Sequence, residues 1–213
     1  MLTMKRKLFH SALVVTTIAT IAPALPQSAA PDDSQLPVCA EVVAAVMEDL
    51  AATAVFQKRV NDYVTMHRML EGPLPTLEVS TDMRKVQAAM DALAVRIQAA
   101  RKDARQGDIF TEAVARMFHR QIASCLVRAD IEAILADQRY GEQGQVTPRV
   151  NAVWPVRVPF DMVPPQLLAA LPRLPSELQY RIIGSSLVLW DHHANLVVDI
   201  LPGALTPDTV EGI

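Results

Sequence analysis

Cysteine, glycine and aromatic residues are scarce in this chain, and each scarcity excludes something. Two cysteines in 213 residues rule out a disulfide-dense miniprotein and a multi-site zinc scaffold. Seven glycines leave little for glycine-rich phosphate loops, and no P-loop, dinucleotide fingerprint, G-x-S-x-G elbow or H-E-x-x-H helix occurs. Aromatics at 5% limit the large side chains from which a core is built. Clusters of positive charge are missing too. Beyond the first seven residues no Lys/Arg cluster exceeds a pair such as Arg101-Lys102, so a counterion-displacing nucleic-acid surface is not expected.

What is present is 51% apolar residues, which excludes general disorder. Thirty alanines lean the chain toward helix, and fifteen prolines must lie outside those helices. Lys5, Arg6 and Lys7 precede an apolar run from Leu8 to Ile21, the pattern of a secretory signal peptide spanning 1–29, with cleavage after Ala24 or Ala29. The run is short for a membrane span, which needs roughly 20 apolar residues, and a retained anchor is the alternative. Cleavage leaves 17 Lys+Arg against 23 Asp+Glu, a net charge of −6, with no stable membrane span. The expected location is the periplasm or the extracellular space. An oxidising destination makes Cys39 and Cys125 candidates to pair. Whether they meet depends on topology: a tightly reversed third helix separates them, and a kinked extension of the second helix brings them close.

The periodicity predicts an α+β fold with a helical domain over 36–138. Val38 to Leu70 holds neither proline nor glycine, and Val42 or Val43, Val46, Leu50, Val60 and Val64 share one broad face, closed by Gly72, Pro73 and Pro75. A second helix carries Met83, Val86, Met90, Leu93, Ile97 and Ala100 at alternating steps of three and four, a seam suited to an antiparallel hairpin, with Ser80 or Thr81 as cap. A third begins after the tight connection Gln106 to Thr111, capped by Thr111, with Val114, Phe118, Ile122, Cys125 and Ala129 as its apolar face. Residues 139–176 form a proline-rich connector, with seven of the fifteen prolines between Tyr140 and Pro175 and a short helical turn after Pro164-Pro165. Residues 177–213 form a small antiparallel β-meander: Leu178–Ile183, Leu187–Trp190 and Leu196–Leu201, with turns at Gly184-Ser185-Ser186 and Asp191–Asn195.

The strings QGDIFT at 106–111 and LPRLPSELQYRIIGSSLVLWDHHANLVVDI at 171–200 resemble a group of uncharacterised exported bacterial proteins, which carry proline where this chain has Glu112. That resemblance implies secretion and this architecture, and no activity. The terminal strand-Gly-strand-Asp-turn-strand pattern is also similar to the small β-unit of periplasmic nickel/cobalt-homeostasis-type proteins.

His192 and His193, flanked by Asp191, are the one local histidine cluster. Imidazole and carboxylate suit nickel, copper or zinc, so Asp191, His192 and His193 are candidate ligands. The competing reading is a polar turn with no cofactor, since adjacent histidines on a strand point to opposite faces. His67 and His119 stand on separate helices and could meet across a bundle. Met66, Met69, Met83, Met90 and Met117 could suggest soft-metal capture, but Met83 and Met90 belong to the apolar seam of the second helix and read as gap-filling core side chains. Ser185-Ser186 with His192 or His193 and Asp191 hold the residue types of a triad, but turn chemistry accounts for them. The expectation is a non-enzymatic exported envelope protein acting through its helical hairpin on another copy of itself or on another envelope protein. The alternative is a periplasmic metal-handling or sensing protein.

Overall fold

A computed structural model describes residues 36–74, 82–139, 146–155, 158 and 162–206, without the side chains of 36–39 and 137–139. The signal-peptide segment, and with it the cleavage sites, lies outside the described residues. The fold is α+β: helices α1 (Leu36–Glu71), α2 (Met83–Ala100), α3 (Glu112–Cys125), α4 (Arg128–Arg139) and α5 (Pro165–Ala170) precede strands β1 (Leu178–Ile183), β2 (Ser186–Asp191) and β3 (Leu196–Leu201).

Free of proline and glycine beyond its first turn, α1 runs unbroken for 36 residues, about 54 Å at 1.5 Å per residue. It stops where the Gly72 amide donates to the Arg68 carbonyl. Asp82 caps α2 by accepting from the Arg84 amide, a role the sequence reading gave to Ser80 or Thr81. The cap of α3 is Thr111, with Glu112 in the first turn at the positive end of the helix dipole. The apolar face read from Val114 to Ala129 as one helix is divided between two, because the chain is extended at Leu126 before α4 begins.

The strands form an antiparallel meander in the order β1-β2-β3, with Ile183 paired to Ser186 and Leu187 to Leu201. Gly184, at φ 57°, makes the first turn, and Asn195, at φ 48°, closes the second. Every residue of β3 is buried. One face of the sheet packs on the helices. The other carries Val188, Val197 and Ile200 beneath Trp154 of the proline-rich segment. That segment also lies against the sheet edge: the Asn151 and Trp154 amides donate to the Val197 and Asn195 carbonyls, and Val153 bridges to Leu196. Asn151, at φ 63°, turns its amide onto the Gln98 and Arg101 carbonyls at the end of α2. The main core crosses the helical, proline-rich and β segments, and a smaller cluster lies on the other face of the sheet under Trp154. The few aromatics of the main core meet at its centre, with Phe118 5.1 Å from both Phe56 and Phe110 and 6.0 Å from Tyr180.

The tight connection before α3 owes its shape to the last strand. Asp199, fully buried, accepts from the backbone amides of Gly107 (2.9 Å), Ile109 (2.7 Å) and Phe110 (2.8 Å), and from that of Ile200 (2.8 Å). Four donors around one carboxylate replace the water lost on burial.

The hairpin of α1 and α2 overlaps over a shorter stretch than the seam implies. Arg96 donates to the Leu70 carbonyl and the Arg101 guanidinium lies over the Tyr63 ring, so the antiparallel register carries the first half of α2 past the end of α1. Leu93 and Ile97 are accordingly buried, Val86 and Met90 are half-buried, and Met83 is 76% exposed. Ala100, at the other end of the seam, is also exposed, because there α2 faces the sheet edge through Gln98 and Arg101 instead.

The broad face expected on α1 divides in the same way. Val60 and Val64 are buried, whereas Val42, Val43, Val46, Met47 and Leu50 are 52–61% exposed. Arg59 donates to the Asp108 carbonyl, Thr53 to the Met117 sulfur, and Arg120 pairs with Asp49, so α3 runs antiparallel to α1 and ends near that point. The first three turns of α1 extend beyond it. Cys125, the last residue of α3, is a free thiol, and the side chain of Cys39 lies outside the described residues. Among the described residues no helix is long and apolar enough to cross a membrane.

Candidate metal site between helix α1 and the β2–β3 turn

The buried ladder of α1 ends in polar residues. After Phe56, Val60 and Val64, the same face presents Tyr63, His67 and Glu71 at steps of four, aimed at the end of β2. There Asp191 is wholly buried and makes four hydrogen bonds. One carboxylate oxygen accepts from the amides of His193 and Ala194, both at 3.0 Å, which folds the turn back on itself. The other accepts from the Tyr63 hydroxyl and from Nδ1–H of His67, both at 2.6 Å.

With Nδ1 donating to Asp191, Nε2 of His67 faces Oε2 of Glu71 at 3.2 Å, while Oε1 of Glu71 meets Nδ1 of His193 at 3.1 Å. Nitrogen, oxygen and nitrogen donors from His67, Glu71 and His193 thus lie within 4.8 Å of one another. His67 has no exposed surface, and the side chains of Glu71 and His193 are 36% and 33% exposed. The cluster is rooted in the core and opens at the surface.

Burial pushes the Tyr63 hydroxyl far above its ordinary pKa, and the adjacent Asp191 charge adds to this while Arg101 opposes it. For His67 burial works to lower the pKa. The hydrogen bond and charge of Asp191, with Glu71, outweigh burial and raise it. Two carboxylates converging on one buried imidazole favour a positive charge between them, whether a proton or a metal ion supplies it.

A second tie joins the same two elements. Glu177, also buried, binds Nε of Arg68 at 2.5 Å, and its carbonyl accepts from the His192 amide. Burial opposes its ionisation, but hydrogen bonding and charge from Arg68 hold its pKa below the ordinary value.

The chain matches no family model, no curated protein and no solved structure. The chemistry of the site is therefore read from its own atoms.

Of the three residues nominated on sequence, His193 alone belongs to the three-donor cluster. Asp191 has both oxygens occupied and orients His67 instead. His192 turns away, its Nε2 2.6 Å from the Ser176 carbonyl. His67 and Glu71 were not in the nominated set; their signal is the i, i+4 spacing that puts both on one helix face beside Tyr63. His119 does not join His67. It sits on α3 with its Nε2 buried and without a hydrogen-bond partner among the described residues, and burial lowers its pKa. Of the methionines, Met117 is fully buried against Thr53, whereas Met69 and Met83 are exposed and converge on nothing. Ser185 and Ser186 stand at the far end of β2 from His192 and His193, a strand length away, which separates the parts of a triad.

Proposed function

We propose that this protein is an exported metal-binding protein that holds a divalent transition-metal ion, nickel, copper or zinc, between His67, Glu71 and His193. The observation that carries this reading is the 2.6 Å hydrogen bond from His67 Nδ1 to Asp191. A carboxylate on one imidazole nitrogen fixes the tautomer and aims the other nitrogen's lone pair, the arrangement that metal-ligating histidines use. The donor set of two imidazoles and a carboxylate suits these metals. Metal–donor bonds of ~2.0–2.1 Å place neighbouring tetrahedral ligands about 3.4 Å apart, so the 4.8 Å cluster closes through the partly exposed Glu71 and His193 side chains. Export rests on the charged and apolar leader, and amino-terminal sequencing of the protein from an envelope fraction tests it: the mature chain starts after Ala24 or Ala29.

Calorimetric titration of nickel, copper and zinc tests the site. His193→Ala and Glu71→Gln weaken binding strongly and His192→Ala leaves it intact. Traces identical in wild type, H193A and E71Q overturn the reading.

A second reading, interaction with another copy or another envelope protein, draws support from α1. Val42, Val43, Val46, Met47 and Leu50 form one contiguous exposed apolar surface at its start. Light scattering of the mature chain tests self-association: wild type exceeds the monomer mass and Val46→Lys/Leu50→Lys returns it to monomer. A monomeric wild type removes self-association.

A further inference from the structure

We infer that the ion bound by His67, Glu71 and His193 keeps one coordination position open to solvent, and that this position takes an anionic oxygen or nitrogen donor from outside the protein. The inference rests on the metal-binding reading and specifies what that site exchanges with its surroundings.

Among the described residues three protein donors converge here, one fewer than a closed tetrahedral site needs. Each described neighbour that could supply a fourth is already committed. Asp191 is nearest, but Tyr63, His67 and the amides of His193 and Ala194 fill both of its oxygens, and drawing it to the metal would strand four donors. The Tyr63 hydroxyl is spent on Asp191, to which it donates at 2.6 Å. His192 is held by the Ser176 carbonyl, its ring centroid 4.6 Å from that of His193 but its Nε2 directed elsewhere. Glu177 is bound to Arg68 and Ser176.

The exposure pattern says where the vacant position points. His67 closes the inner side completely, whereas Glu71 and His193 each keep about a third of their side-chain surface in solvent. The fourth position therefore faces outward between these two. A structural site, by contrast, surrounds its ion with four protein ligands.

Charge selects the occupant. A divalent ion with one carboxylate and two neutral imidazoles leaves the inner coordination sphere at about +1, which a monoanion neutralises. Hydroxide from bound water, a carboxylate or a phosphate oxygen all meet this requirement. Access from the solvent side requires no rearrangement of the buried Asp191–His67–Tyr63 network.

The experiment uses the mature protein loaded with cobalt(II), whose visible absorption reports coordination, and titrates it with azide and separately with acetate. In wild type and in H192A the cobalt bands shift and change intensity, saturating as azide is added, and acetate competes with azide for the same position. A cobalt spectrum that is indifferent to excess azide and acetate overturns the open position while leaving the metal site standing. No ligand-field spectrum on adding cobalt, together with flat calorimetric traces for nickel, copper and zinc, overturns the metal reading and this inference with it.

Discussion

His67 and Asp191 are 124 positions apart in the chain, and their side chains meet at 2.6 Å with neither exposed to solvent. This contact joins the last turns of α1, the longest helix among the described residues, to the end of the central strand of the sheet. Tyr63 reinforces it from the helix side and the His193 and Ala194 amides from the turn side. The pair fixes α1 on the sheet and, in the proposed metal site, orients His67 as a ligand.

Asp191→Asn separates these two roles. The amide keeps the shape of the carboxylate but withdraws the charge and one acceptor, so His67 loses its orienting partner. Metal affinity is expected to fall about 10–100-fold by calorimetry, as for other carboxylates behind a ligating histidine. His193→Ala, which removes a ligand outright, costs more affinity and little stability, because that side chain is a third exposed.

Asp199 serves as the complementary control. Its carboxylate holds four backbone amides far from the metal cluster. Asp199→Ala leaves these buried donors unpaired and is expected to cost at least about 3 kcal/mol in urea unfolding. At temperatures where the variant is folded, its metal affinity matches wild type.

His119 gives the fold an acid sensitivity whose sign follows from burial. Its folded-state pKa lies below the ordinary 6.5, so the unfolded chain binds a proton more readily. Stability from this group is complete above about pH 6.5 and declines as pH falls below it. Urea midpoints of wild type should drop between pH 6.5 and 5, and His119→Leu should flatten that slope. Equal slopes in the two proteins would remove His119 as a cause.

The short overlap of α1 and α2 sets opposite fates for two residues of one apolar seam. Ile97→Ala is expected to cost about 2–5 kcal/mol, because the side chain is fully buried. Met83→Ala should change stability by less than about 0.5 kcal/mol, since α2 has run past the end of α1 at that point. Chemical denaturation of the two variants checks the pair.

The α+β class, α1 from Leu36 to Glu71, the Thr111 cap and the three strands were legible because each rests on local signals: proline and glycine at the ends, capping hydroxyls, apolar period. The exposed ends of the α2 seam were not. Periodicity names a face and carries no information on how far the facing helix extends. The ligand set was half legible. His193 announces itself beside His192, while His67 and Glu71 join it in the proposed ligand set only when α1 reaches a turn more than 120 residues downstream. The partners that occupy Asp191, Tyr63, His67 and two turn amides, include groups brought by tertiary structure that no local pattern announces.

Ribosomes deliver this chain from its amino end, and the clasp of Asp199 on Gly107, Ile109 and Phe110 closes a loop of about ninety residues. The contacts of Tyr63 and His67 with Asp191 close longer ones. The helical segments are thus complete in sequence well before their fastening points exist, and high contact order makes their assembly late and slow. A nascent chain shortened ahead of β3 has α1 and α3 to pack on each other through Phe56 and Phe118, but lacks the Asp199 carboxylate that shapes the turn between α2 and α3.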